Sequence, residues 1–253
     1  MTRSPFLRNG LVQVAPLLLC LVAWEVLARI FGSTHAVMPP VSTILLGIFA
    51  DGNTLLRSFG RTLAETVLGF VPAAAFGFIA GALFARVRIA ERMFFPLFLI
   101  SQTVPVVAFG ALVIIWFGNG IMSKVAIAFY LTFFPVTVNT LRGLRAVDQD
   151  KINLLKSFGA SAWMLFWRLE VPHALPGIMA ALLLGVSLSL VGAIVGEWFG
   201  ATVGLGIVLV QAMYAEDMVR LWGAILLCGI LGSTLYGLVA FAARRWVWWG
   251  GEI

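Results

Sequence analysis

Long apolar runs, separated by short polar or charged clusters, dominate the pattern along this 253-residue chain. Runs such as Ala180–Val195 and Ala224–Ala243 carry no charge and do not alternate in polarity. A helix needs about twenty such residues to cross a bilayer. Six segments reach that length: Leu11–Phe31, Leu63–Ala85, Met93–Phe117, Ile121–Leu141, Pro176–Phe199 and Leu221–Ala243. The stretch Val41–Ala50, after Pro39-Pro40, is too short to span. Its Val41, Ile44, Leu45, Ile48 and Phe49 share one helical face, which predicts a short amphipathic helix at the membrane interface. A barrel would require roughly ten-residue stretches of alternating polarity, and the chain does not offer them. The expected fold class is therefore all-α, a polytopic membrane protein with about six transmembrane helices.

Composition supports the same solvent. The chain is 61% hydrophobic and 11% charged, whereas soluble domains are about half apolar and about a quarter charged. In lipid, backbone N–H and C=O groups must be paired within the chain, which favours helices. The 17 Lys and Arg against 11 acidic residues could indicate a nucleic-acid partner. In a membrane chain the retention of positive charge on the cytoplasmic side explains the excess, so no nucleic acid is expected. With the N-terminus inside, the inner segments hold Arg3, Arg8, Arg86, Arg88, Arg92, Arg142, Arg145, Lys151, Lys156, Arg168, Arg244 and Arg245. The outer segments and span ends hold only Arg29, Arg57, Arg61, Lys124 and Arg220. Both termini are thus expected in the cytoplasm. Arg3 and Arg8 before an apolar stretch resemble a signal peptide, but the stretch is long and no small-x-small cleavage site follows. A retained first span is the expectation.

Candidate chemistry is sparse. Cys20 and Cys228 lie in apolar runs without a second ligand at metal spacing and read as packing residues. His35 and His173, the only histidines, fall in different loops, so neither a metal site nor a His-based triad is supported. No G-x-x-x-x-G-K-[ST] phosphate loop occurs, and no G-x-G-x-x-G follows a strand. No catalytic residue, metal or cofactor is expected on this chain, so any energy must come from a partner.

One loop stands apart, residues 142–175. A connector needs only a few residues, yet this one runs to about thirty and carries Trp163, Phe166 and Trp167. A short helix is predicted over Asp148–Phe158 and stopped by Gly159. A second begins after Ser161, a good N-cap. Pro172 and Pro176 then end it and open the next span. Such an elbow is either a docking surface or a helix resting on lipid headgroups.

The loop resembles the cytoplasmic coupling loop of ABC importer permeases. That pattern runs Glu-Ala-Ala, three residues, Gly, roughly nine residues, Ile-x-Leu-Pro, and a second Pro four later. Gly159, Phe166, Leu169, Pro172 and Pro176 fall in register with it. Trp116-Phe-Gly118, Phe133-Phe-Pro135, Asn139, Gly196-Glu197 and Gly204-Leu-Gly206 look most similar to the nitrate/sulfonate/taurine/bicarbonate branch. The resemblance implies a type I importer permease, with residues 1–60 as an N-terminal span and periplasmic amphipathic segment and 61–253 as the transport core. It also implies a second permease copy, two ATPase subunits holding ATP and Mg, a periplasmic or lipid-anchored binding protein, and placement in the bacterial inner membrane. The implied cargo is a small anion such as a sulfonate or nitrate, the alternative being a vitamin precursor or aromatic acid. Ser157, Phe158, Gly159, Ala160, Ser161, Trp163, Phe166, Pro172 and Pro176 would receive the ATPase. Asn153-Leu154-Leu155 departs from Glu-Ala-Ala, removing a carboxylate and adding bulk.

Pathway candidates are fewer. Glu197, near the outer end of the fifth span, is a functional candidate by default or else a headgroup-level anchor or ion-pair partner. Gln102 and Thr103 precede Pro105, which interrupts the third span. They line a cavity at a broken helix or bond to a neighbouring helix. Asn139 lies on the pathway or caps a neighbour. Gly77-x-x-x-Gly81 fits a dimer face or close packing within the chain. Glu25 and Arg29, four apart, should pair. Rival classes are an ion-coupled transporter, which would show mid-span charge or matched broken helices in two halves, and a membrane enzyme with a catalytic cluster at one depth.

Overall fold

The computed structural model describes residues 5–31 and 37–249; Arg3 and His35 lie outside the described residues. Every described element is helical. In chain order they are α1 (Pro5–Phe31), α2 (Val41–Ala50), α3 (Gly52–Arg86), α4 (Arg88–Ser101), α5 (Val106–Phe117), α6 (Ile121–Arg145), α7 (Gln149–Ser157) and α8 (Ala162–Leu165). A π-helical turn (Phe166–Glu170), α9 (Val171–Trp198), α10 (Leu205–Tyr214) and α11 (Met218–Trp246) follow.

α6 is the centre, packed along its length between α3 and α9. Small residues permit that closeness. A Cβ added at Gly77 would lie 2.7 Å from the Phe133 carbonyl oxygen, one at Gly81 2.6 Å from Thr140 Cβ, and one at Gly192 2.7 Å from Ala128 Cα. The Gly77-x-x-x-Gly81 pattern therefore serves contact within the chain. Small interfacial residues suit helices in lipid, where van der Waals approach replaces much of the hydrophobic drive.

Among the described residues, α3, α6, α11 and the continuous rod Ala162–Trp198 are long and apolar enough to span. At 27 residues, α1 reaches roughly 40 Å, long enough for another crossing. The expected third span, Met93–Phe117, is not one straight helix. α4 and α5 meet at a 102° bend, because Pro105 has no N–H to continue the ladder. The Tyr130 hydroxyl donates to the Ser101 carbonyl at that break.

A second difference concerns the prolines after the elbow. Pro172 and Pro176 do not end a helix. The 37-residue rod Ala162–Trp198 passes through both. Just before Pro172, the Val171 amide bonds the Phe166 carbonyl five residues back, and this π turn widens the ladder where Pro172 has no N–H to contribute. Pro176 leaves the Pro172 carbonyl free, and the Trp249 indole donates to it at 3.2 Å.

α2 forms where the pattern placed it, but its face divides. Ile44 is fully buried and Ile48 packs beside Gly223 of α11, whereas Leu45 and Phe49 stay exposed. Glu25 accepts from Arg29 Nε at 2.7 Å, as the four-residue spacing predicts, and also from the Ser42 amide and hydroxyl.

Candidate functional site

The long rod carries a distinct structure at each end. At its start lies the elbow. Asp148 caps α7, its carboxylate accepting from the Asp150 amide at 2.9 Å. Gly159 ends it at φ +81°, with Gly159 N–H donating to the Lys156 carbonyl and Ala160 N–H to the Leu155 carbonyl. This is a Schellman closure, in which a residue in the left-handed region turns the last carbonyls back on the chain. A Cβ at Gly159 would meet nothing within 4 Å, so backbone conformation rather than space selects glycine. Ser161 then caps α8 by accepting from Met164 N–H at 3.2 Å.

The root of the elbow is fixed. Phe166 is half-buried beneath the Arg86 guanidinium, 4.9 Å from the ring centroid, and Arg86 donates to Glu170 at 2.6 Å. Leu144, Val171, Ala174 and Ile178 form the core beneath. Arg145 grips Glu91 with both terminal nitrogens, at 2.7 and 2.6 Å, and donates to the Phe84 carbonyl. These contacts tie α6 and the rod to the α3–α4 corner.

The tip is the reverse. Phe158 is 79% exposed, Trp163 71%, Leu154 58% and Met164 49%. Burying one such side chain contributes about 2–3 kcal/mol before ordering costs. Leu154, one of the three residues that depart from Glu-Ala-Ala, thus belongs to the exposed apolar set, and Asn153 accepts from Gln149 one turn back at 3.2 Å. Ser157, Gly159 and Ser161 are exposed, Ala160 half-buried. Pro172 and Pro176 are half-buried in the rod. Of the nine expected residues, Phe158 and Trp163 supply the large protruding surface; Ser157, Gly159 and Ser161 shape the turn, and Phe166 anchors it.

The other end of the rod holds a buried polar clasp. Glu197, Thr62 and Glu65 are fully buried and Lys124 is 1% exposed. Thr62 Oγ1 donates to Glu197 Oε1 at 2.6 Å and accepts from Leu205 N–H at 2.8 Å. Glu197 Oε2 accepts from Gly206 N–H. The first two amides of α10 are therefore served by side chains of α3 and the rod, and the carboxylate lies at the positive end of that helix. Gly204 sits at φ +147° with its open face against the Glu197 carboxylate, and a Cβ at Gly206 would lie 2.8 Å from Glu197 Oε2. Those two glycines let the loop close on the carboxylate. Arg61 pairs with Glu65 at 2.7 Å, and Lys124 donates to the Asn119 carbonyl and side-chain oxygens.

The clasp brings together two charged residues that the sequence treats separately. Glu197 is enclosed by protein and bonded to Thr62 and the Gly206 amide, with no cation paired to it among the described residues. Lys124, grouped by sequence with outer-segment charges, is buried beside the same network. Thr62, Glu65 and the α10 amides were not anticipated. The i,i+4 spacing of Arg61 and Glu65 was the available signal, but the pairing of Thr62 with Glu197 spans 135 residues.

The remaining pathway candidates are scattered. Gln102 is half-buried and Thr103 exposed at the α4–α5 bend, where Thr103 donates to the Ile100 carbonyl at the end of α4. Asn139 is half-buried and donates to the Pro135 carbonyl one turn back at 2.9 Å rather than capping a neighbour.

Comparison with known proteins agrees with this architecture. The family described as "Binding-protein-dependent transport system inner membrane component" matches residues 73–247. The formylaminopyrimidine transport permease ThiX of Halalkalibacterium halodurans is 34% identical over 90% of this chain and 89% of its own length. The riboflavin permease RibX of Chloroflexus aurantiacus is 31% identical over 92% and 88%. The taurine permease TauC of Escherichia coli is 28% identical over 99% and 94%. An inward-facing structure of the MetNI methionine ABC transporter superposes with a TM-score of 0.65 at 19% identity, covering 80% of this chain and 99% of the other. With that match and that fold, the chain belongs to the inner membrane components of binding-protein-dependent transport systems, multi-pass ABC permease subunits rather than enzymes.

Proposed function

We propose that this permease works as one half of a pair, with two ATP-hydrolysing subunits docked at the elbow and a binding protein delivering solute at the clasp end. The carrying observation is the rod Ala162–Trp198, unbroken from Trp163 to Glu197. Those two residues are roughly 51 Å apart along a helix axis. A partner that moves the exposed tip moves the whole rod, because the helix is continuous, and Phe166, Glu170 and Arg86 carry the α3–α4 corner with it. Closure of the two partners on ATP then tilts the rods as rigid bodies. In this reading the elbow is cytoplasmic, in keeping with the charge bias, and both termini lie on that side. Residues 61–253 form the transport core, with ATP and Mg held by the partner.

Within this reading Glu197 is a clasp that holds α10 to α3 and the rod. Gln102, Thr103 and Asn139 remain as groups that would face solute, and all three are neutral. That neutrality, and the higher identity to the formylaminopyrimidine and riboflavin permeases than to the taurine permease, favour a heterocyclic vitamin precursor as cargo. The sulfonate or nitrate reading stands second. Binding measurements on the partner binding protein separate them: micromolar affinity for a formylated pyrimidine supports the first reading, and affinity for taurine alone rejects it.

Co-purification tests the assembly. An ATPase should travel with the wild-type chain, and Gly159→Val should abolish ATP-driven uptake. Uptake that persists without ATP hydrolysis would favour an ion-coupled transporter.

A further inference from the structure

Beside the elbow root lies a cavity of about 460 Å³, between the α3–α4 corner, the end of α6, α7 and the π turn. Arg86, Arg88 and Arg145 line it with one acidic side chain, Glu170, over a floor that includes Leu144 and Val147. Its charged lining is therefore net positive. Arg86 and Arg145 each spend part of their guanidinium on a carboxylate. Arg88 is exposed and has no ion-pair or hydrogen-bond partner among the described residues.

We infer that this cavity holds the headgroup phosphate of an anionic phospholipid. The charge favours a phosphate, which guanidinium groups bind through paired N–H donors. The lipid source follows from what adjoins the site. Along α4, Ile89, Met93 and Leu97 recur every four residues and are 70%, 60% and 58% exposed. They form an apolar track leading away from Arg88, suited to an acyl chain. Arg92, one turn after Arg88, flanks the track. Basic pockets between membrane helices are known receivers of anionic headgroups.

The position gives the lipid a role. Glu170 and Gln149 belong to the elbow, whereas Arg86 and Arg88 belong to the α3–α4 corner. A phosphate between them bridges the moving arm to the core and stiffens the root. The inference rests on the bilayer placement of α4 and not on the transport cycle, so its failure leaves the proposed function intact.

The test is native mass spectrometry of the delipidated full-length protein, titrated with phosphatidylglycerol and with phosphatidylcholine of matched chains. The wild type should retain phosphatidylglycerol preferentially. Arg88→Ala should lower that retention about fivefold, the worth of one basic side chain near a lipid surface. Its unchanged phosphatidylcholine retention would show that it folds. Arg244→Ala, an exposed arginine on α11, should leave both unchanged. Equal retention of the two lipids by the wild type, or an equal loss in Arg244→Ala, overturns the inference. Millimolar inorganic phosphate that raises thermal stability, with phosphatidylglycerol adding nothing, would reassign the cavity to free phosphate and also overturn it.

Discussion

The two ends of one 37-residue rod solve opposite problems. At the elbow, large apolar side chains stand in the open while the backbone turn is satisfied locally through Gly159 and two serine or aspartate caps. At the clasp, charged and hydroxyl groups are fully buried, and the bonds that join Thr62 to Glu197 and to the Leu205 amide reach across 135 and 143 residues. The first arrangement contributes little to the stability of the isolated chain and exposes area for a partner. The second fixes the fold and offers nothing to bind. A rod with a sticky end and a pinned end is suited to transmitting displacement.

The contrast predicts that stability and coupling rank substitutions in opposite orders. Glu197→Ala should cost most, about 3–5 kcal/mol, because it strands buried partners. Thermal unfolding in nanodiscs should show a large drop, with Glu197→Gln milder since an amide oxygen still accepts from Thr62 or Gly206. Equal tolerance of Glu197→Ala and Trp163→Ala would erase the distinction between the ends. Gly192→Val should follow at about 1–3 kcal/mol from overpacking against Ala128, read in the same assay. Gly159→Val should cost about 1–2 kcal/mol for a branched residue in the left-handed region, confined to the elbow. Its sharper readout is ATP-driven uptake, lost while the spans unfold at nearly the wild-type temperature. Phe158→Ala and Trp163→Ala should fall within about 0.5 kcal/mol of wild type, yet weaken co-purification of the ATPase.

Most of the membrane architecture was legible in the sequence because lipid imposes a simple code of long apolar runs. The elbow was legible too, since Asp148, Gly159 and Ser161 act on amides within five residues of themselves. What the sequence concealed was long-range or cooperative. The break at Pro105 was legible, but its 102° angle and the Tyr130 hydroxyl that serves the Ser101 carbonyl were not, and the passage through Pro172 and Pro176 needed a π turn and the Trp249 indole. The role of Glu197 depended on Thr62 and on the amides of α10, a helix too short to register as a span. The glycines of α3 fitted a dimer face or, more readily, packing within the chain, but the sequence did not name α6 as the helix they meet.

Photo-cross-linking can locate the surface that the ATP-hydrolysing subunit touches. A benzoylphenylalanine placed at Phe158 or Trp163 in the assembled transporter should form an adduct with the ATP-hydrolysing subunit. The same probe at Tyr214, 80% exposed beyond the clasp, should form none with that subunit. Adducts from position 214, or none from 158 and 163 in a complex that still hydrolyses ATP and imports, would contradict the account.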